Sequence, residues 1–267
     1  MYEILQKKKL ADNTFLIQVK APAIAKKAKA GQFVIIRIDE KGERIPLTLV
    51  EWDKKSITLI FLEVGHTTRQ LARLKKGKII RDVVGPLGNP STIPQESVAC
   101  FVAGGLGIAA IYPIIKAYKE AKNKIITVLG AKSSDYLFYE KELNELSDQM
   151  HICTEDGSKG TEGRVTEPFF KIMRKRVDYV VTVGPLPMMK EICRLSTQRA
   201  KTYASINTIM VDGLGMCGGC RLTYDGKIKF SCVDGPEFDG HLVEWDELLN
   251  RSGVYRKEER NICRMRK

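Results

Sequence analysis

Short β-rich apolar runs separated by turn signals fill the first ninety residues. Apolar and polar positions alternate at 14–19, while 32–38, opened by Gly31, and the runs 56–64 and 78–84 are more continuously apolar, and R-I-P-L-T at 44–48 follows the turn at 39–42. Runs of this length and composition, bounded by turn residues, read as strands. One short helical piece, around 67–74, interrupts them. Several short strands at this spacing predict a small antiparallel barrel over residues 1–93.

The pattern changes near residue 96. Apolar runs at 97–103, 124–129, 151–154 and 179–183 now alternate with helix-period segments at 108–121, 137–147 and 165–174, and a further helix begins within 184–189. Alternation of this kind predicts a doubly wound α/β domain over 94–205. Residues 206–267 form a third, smaller segment. In it, 222–231 reads as a hairpin turning at Asp225-Gly226.

Composition excludes several classes. The chain of 267 residues is 43% hydrophobic and 28% charged, which is ordinary for a globular protein. Its apolar runs are broken by glycines and too short to span a bilayer, and the N-terminus has no signal-peptide core. The expectation is a cytoplasmic protein with no membrane partner. The net charge of +12 is spread over most elements, with clusters at 7–9, 174–176 and 251–267. Without an aromatic-interleaved basic stripe or a nucleic-acid motif, no nucleic-acid partner is expected; the charge suits anionic cofactors or an acidic partner.

Candidate chemistry concentrates near the C-terminus. Cys217, Cys220 and Cys232 fall within sixteen residues, with Gly213, Gly215, Gly218 and Gly219 around the first two. Thiolates ligate iron–sulfur clusters and zinc, and a C-x-x-C turn lets two reach one metal. The hairpin would carry Cys232 back to that turn. A metal site usually takes four ligands. The residues leave two readings open: an iron–sulfur site, or a zinc knuckle completed by another ligand such as His241. Cys100, Cys153, Cys193 and Cys263 stand apart and read as core or surface residues.

Two glycine loops follow predicted strands, G-G-L-G at 104–107 and G-P-L-P-M at 184–188. Loops at the C-terminal ends of parallel strands let backbone approach a pyrophosphate. V-G-H-T-T at 64–68 places hydroxyls before a helix, another phosphate-binding arrangement.

The order R-x-P-L-T, V-G-x-x-T, G-P-L-G (85–88), G-G-x-G and G-P-x-P-M resembles the ferredoxin–NADP reductase superfamily. That resemblance implies FAD on the barrel, beside Pro46, Leu47, Thr48, Leu62 and Val64, with its phosphates near Gly65, Thr67, Thr68 and Arg44. Arg44 sits one residue before the position the family uses, where Ile45 stands here. It also implies a nicotinamide nucleotide at Gly104, Gly105, Gly107, Ile108, Gly184, Pro185 and Met188. Val183 stands where the family often has cysteine. NAD(H) is the expected nucleotide, with NADP(H) left open because Lys132-Ser133-Ser134 could meet a 2′-phosphate.

The spacing C-x2-C-x11-C resembles the electron-transfer subunits of dihydroorotate dehydrogenase, whose C-x4-C-x2-C-x11-C holds a 2Fe–2S cluster. Asp212 occupies the place of the first cysteine. The resemblance thus implies a 2Fe–2S cluster on Asp212, Cys217, Cys220 and Cys232. M-V-D-G-x-G-M-C-G-x-C-R, with V-D-G-P-E-F-D-G-H after Cys232, is most similar to the small subunits of NADH-dependent ferredoxin:NADP oxidoreductases. Those imply a heterodimer with a larger flavoprotein that carries FAD and 4Fe–4S clusters, ferredoxin reached through that partner, and electron bifurcation. The alternatives are a dihydroorotate dehydrogenase partner and a zinc-stabilised, non-catalytic nucleotide-binding subunit.

Overall fold

The computed structural model describes residues 1–253. Cys263 and the other residues of 254–267, part of the predicted third segment and its basic run, lie outside the described residues.

The first sheet contains β1 (Tyr2–Ala11), β2 (Thr14–Lys20), β3 (Phe33–Arg37), β4 (Arg44–Trp52), β5 (Ser56–Leu62), β6 (Ile79–Ile80) and β7 (Asp82–Leu87), with α1 (Pro22–Ala25) and α2 (His66–Arg73) between strands. Its order is β6-β1-β2-β5-β4-β3-β7, and every pairing is antiparallel. β3 explains why its run is apolar without a break. Val34 and Ile36 enter the barrel core with Ile17, Leu49 and Phe61. Phe33 and Ile35 point the other way and are also buried, against Met210, Cys220 and Cys232. A strand covered on both faces loses its alternation.

β1 was not expected as a strand. Of its residues only Ile4 is fully buried. Lys7 covers an inner position with its aliphatic stem: its Nζ donates to the carbonyls of Ala72 and Leu74 and lies 5.0 Å from the Phe15 ring centroid. A snorkelling lysine of this kind hides a half-buried strand from a hydrophobic pattern.

The second sheet contains β8 (Val98–Gly104), β9 (Lys124–Ala131), β10 (Gln149–Thr154), β11 (Thr161–Glu162), β12 (Tyr179–Val183) and β13 (Lys201–Ser205). Between these strands run α3 (Gly107–Glu120), α4 (Glu140–Leu146), α5 (Thr166–Ile172) and α6 (Leu186–Ser196). The strands are parallel in the order β11-β10-β9-β8-β12-β13. α3 packs on one face with Phe101 and Leu129, and α5 and α6 pack on the other with Cys100, Val102 and Val180. Phe101 meets Tyr118 edge-on at 5.0 Å, a geometry worth about 1 kcal/mol beyond burial. The α3 core also takes in Val50 and Ile60 from the barrel.

The third segment forms the hairpin β14 (Arg221–Tyr224) and β15 (Lys227–Phe230), then β16 (Glu237–Asp239) and α7 (Trp245–Arg251). Asp225 and Gly226 both have positive φ, 49° and 68°, as a two-residue hairpin turn requires. β16 adds to the nucleotide-domain sheet, antiparallel to β13. A strand pair therefore crosses the division drawn from sequence at 205/206. Among the described residues, no helix is long and apolar enough to cross a membrane.

Candidate functional site

A cleft of about 1130 Å³ opens between the barrel and the C-terminal edge of the parallel sheet. Its barrel wall is Phe33, Pro46, Leu47, Thr48, Leu62 and Val64. Pro46 and Thr48 pair in register with Ile35 and Phe33, so all four side chains share the outer face of the barrel sheet. The other wall is built from the loops after β8 and β12, where Gly104, Gly105, Gly107, Gly184, Pro185 and Met188 line the cleft. The strand order reverses at the β8/β12 boundary, and ligands of open α/β sheets bind at that point.

The glycines there permit close approach. A Cβ on Gly184 would lie 3.0 Å from the Gly104 nitrogen, and a Cβ on Gly107 would lie 2.1 Å from the Val183 carbonyl oxygen. Gly105 has φ +56° and nothing within 4 Å of the place its Cβ would take, so its backbone is open to a ligand.

Five of the expected cofactor residues do not line the cleft. Arg44 is exposed at the start of β4, opposite Arg37. Ile108 is fully buried in the α3 core. Gly65 precedes the first turn of α2, and its N–H and that of Val64 donate to Thr68 Oγ1 at 2.9 and 3.0 Å. Thr67 is buried, with its hydroxyl donating to Glu43 Oε2 at 2.7 Å. The hydroxyls of this loop are thus engaged by the loop itself and by an acid.

Sequence reasoning missed other wall residues: Glu155 after β10, Arg164 before α5, and Ile206, Asn207 and Met210 after β13. Lys132 lines the same end. A charge directly after a parallel strand was the available signal for Glu155, whereas Met210 carries none.

The predicted metal ligands lie in two pairs. The Cys220 and Cys232 sulfurs are 3.2 Å apart and both residues are buried. Burial first, and then the Cys220 sulfur, push the Cys232 thiol up to about 12. Cys217 is exposed, with the half-buried Asp212 beside it, and these form the second pair. Asp212 folds back over its loop: Oδ1 accepts the Leu214 N–H at 2.7 Å and Oδ2 accepts the Cys217 N–H at 2.5 Å. N–H donation, from Leu214 first, holds its carboxyl below the usual carboxylate range.

Gly213, Gly215 and Gly218 all have positive φ and curl the loop around Cys217. Arg221 and Arg251 donate to the carbonyls of Gly218 and Gly219, and the Gly219 N–H points at Cys217 Sγ, 3.5 Å away. Among the described residues, no three His, Cys, Asp or Glu side chains gather closely enough to hold one ion. His241 lies instead against Asp239 and Ser196.

These residues fit the groups the resemblance implies. The cleft is large, apolar on its barrel wall and glycine-lined opposite, as a flavin and a dinucleotide require. Three thiols and one carboxylate supply four anionic donors, and the buried Oγ1 of Thr208, beside this loop, has no partner among the described residues.

Known proteins point the same way. Residues 207–244 match the iron–sulfur cluster binding domain of dihydroorotate dehydrogenase B, and 101–194 match the oxidoreductase NAD-binding domain. The chain is 48% identical to a dihydroorotate dehydrogenase B (NAD(+)) electron transfer subunit homolog of Thermotoga maritima, over 97% of this chain and 93% of that one. It is 32% identical to the corresponding electron transfer subunit of Fusobacterium nucleatum, over 88% and 94%. A chain of a solved NADH-dependent reduced ferredoxin-NADP oxidoreductase, described for flavin-based electron bifurcation, superposes with a TM-score of 0.93 at 46% identity, covering 100% of this chain and 98% of that one. Phthalate dioxygenase reductase, at 15% identity and TM-score 0.61, shares the fold.

FAD, NAD(H) and a 2Fe–2S cluster are accordingly the cofactors of this chain, which is an NAD(P)H-oxidoreductase subunit for electron transfer. Its family is the one that includes the electron-transfer subunits of dihydroorotate dehydrogenase B, within the ferredoxin–NADP reductase superfamily, and the chain belongs to it.

Proposed function

We propose that this chain is the small subunit of a bifurcating, NADH-dependent ferredoxin:NADP oxidoreductase, working with a larger flavoprotein that carries FAD and 4Fe–4S clusters. The observation that carries this reading is Asp212. It stands where relatives of the dihydroorotate dehydrogenase type have a cysteine, on a loop that folds its carboxylate back to the Cys217 amide. Asp212 with Cys217, and Cys220 with Cys232, make two pairs of donors, which suits two irons with two protein ligands each. Residues 1–93, 94–205 and 206–267 serve as flavin, nucleotide and cluster segments.

When bound, FAD converts two-electron hydride chemistry into single-electron transfer, and the cluster carries single electrons. The chain positions both. Pro46, Leu47 and Thr48 line the flavin's side of the cleft, with Pro46 and Thr48 on the outer sheet face, and the two glycine loops receive the nucleotide opposite it. Cys217 lies at the surface among exposed apolar side chains: Ile209, Val211, Leu214, Met216 and Val233 are 40–84% exposed. An apolar collar around an exposed cluster ligand suits a partner subunit docking there. A second reading, service to a dihydroorotate dehydrogenase partner, draws on the relatives' names.

The purified chain should show flavin bands and 2Fe–2S absorbance, both bleached by NADH. Colourless protein holding zinc would sink the proposal. Asp212→Ala should lower iron content while flavin stays bound, and full iron retention would refute the ligand assignment. Co-purification from the native cell separates the partners by mass.

A further inference from the structure

Three residues lie in one row across the outer face of the barrel sheet. Phe33 of β3 is in register with Thr48 of β4 on one side and with Leu87 of β7 on the other. Thr48 faces the cleft. Leu87 supports the cluster loop: a Cβ on Gly213 would lie 2.7 Å from Leu87 Cδ1 and 2.8 Å from Ile35 Cγ1. Neighbouring strands are about 5 Å apart, so Thr48 and Leu87 stand about 10 Å apart across the sheet face with Phe33 between them.

Met210 closes the same gap from above. Phe33 and Met210 both line the cleft, and both pack with Cys220 and Cys232. Each is 5% exposed, and the two cysteines are 1% exposed. One side of each residue therefore meets the cleft and the other meets the thiol pair.

We propose that Phe33 and Met210 form a dry partition, one side chain thick, between the flavin cleft and the Cys220–Cys232 half of the cluster site, and that this partition sets the cluster's reduction potential. The inference rests on the cofactor placement proposed above. Reduction adds one electron to a cluster whose protein donors are already anionic. Water and polar groups stabilise the added charge, and an apolar wall does not. An intact partition thus holds the potential low, and a polar group placed in it raises the potential.

The test uses the full chain loaded with FAD and cluster. One-electron reduction by dithionite through mediators is followed by the cluster's paramagnetic resonance signal, with iron and flavin content measured in parallel. Met210→Gln keeps length and adds an amide, Met210→Leu keeps the wall apolar, and Phe33→Tyr adds one hydroxyl to the same wall. Met173→Gln makes the same change at a buried methionine in the core under α5, 4% exposed. The expected result is a midpoint shifted upward in Met210→Gln and Phe33→Tyr and unshifted in Met210→Leu and Met173→Gln. If Met210→Gln loses the cluster, Phe33→Tyr decides. At wild-type iron and flavin content, an unshifted midpoint in both polar variants overturns the partition, as does an equal shift in Met173→Gln. A wild-type chain without flavin or iron sinks the function on which the inference rests.

Discussion

Gly105 and Gly107 stand two residues apart in one loop, and the structure predicts different penalties for replacing them. In Gly107→Ala the new Cβ would meet the Val183 carbonyl oxygen at 2.1 Å, its carbon at 2.6 Å and the Gly184 nitrogen at 3.2 Å. These are backbone atoms at the end of β12, so no side chain can rotate away. The start of α3 must move off the sheet by about 1 Å to restore a van der Waals contact, and overpacking of this kind costs about 3 kcal/mol. In Gly105→Ala nothing lies within 4 Å, and the only penalty is the left-handed φ of +56°, about 1 kcal/mol. At about 2–4 °C per kcal/mol for a chain of this size, Gly107→Ala should melt about 6–12 °C below wild type and Gly105→Ala about 2–4 °C below. Moving the loop also parts Gly104 from Gly184, so NADH affinity measured by calorimetry should fall at least about tenfold in Gly107→Ala. Equal melting temperatures for Gly107→Ala and wild type, or a larger loss in Gly105→Ala, would refute the steric argument.

Glu155 lines the cleft beside Lys132 and Arg164. A carboxylate at this position would accept ribose hydroxyls and repel a 2′-phosphate, so Glu155→Gln should weaken NADH binding and strengthen NADPH binding relative to it; equal effects on both nucleotides would exclude that role. Glu237 reaches the surface with part of its length, but its carboxyl end is inside, where burial pushes it up to about 7 and Ser91 Oγ donates to it at 2.7 Å. The folded chain then holds this proton more tightly than the unfolded one. The resulting stability is present below about pH 4.5 and is lost as pH rises to about 7. Glu237→Gln keeps the acceptor for Ser91 and should raise the urea midpoint at pH 8 but not at pH 4.5; the same change at both values would refute the buried charge.

The barrel and the doubly wound sheet were legible because periodicity changes where the fold does. What escaped were positions whose burial depends on partners distant in sequence. β1 is hidden by Lys7, whose stem lies inward. β16 is three residues long, and only β13 across the sheet makes it a strand. Among the expected cofactor residues, the glycines at the ends of the parallel strands, Gly104, Gly105, Gly107 and Gly184, line the cleft. Those chosen for side-chain chemistry in the 65–68 loop are already hydrogen-bonded locally, Thr68 within its own loop and Thr67 to Glu43. A motif specifies that a loop turns, and it does not specify which hydroxyl the turn uses up. Phe33 sat inside a recognised strand, but a run buried on both faces cannot reveal that one face borders a cleft and a thiol pair.

The three segments also hold one another in place. α3 shares a core with Val50 and Ile60 of the barrel. β16 pairs Phe238 with Ala204 at the sheet edge. The Asn89 side chain donates to the Val233 and Asp234 carbonyls, and its N–H donates to Gly235 O at 2.7 Å. Separating the cluster loop from the barrel would break the Asn89 bonds and expose Phe33, Ile35 and Met210, each worth about 1.5–3 kcal/mol of burial. Motion between cleft and thiol pair is therefore costly in the isolated chain. The spacing set by the Thr48–Phe33–Leu87 row is a property of this subunit alone, and under the function proposed above a partner docking on the exposed Cys217 side would extend an electron path without having to create that first interval.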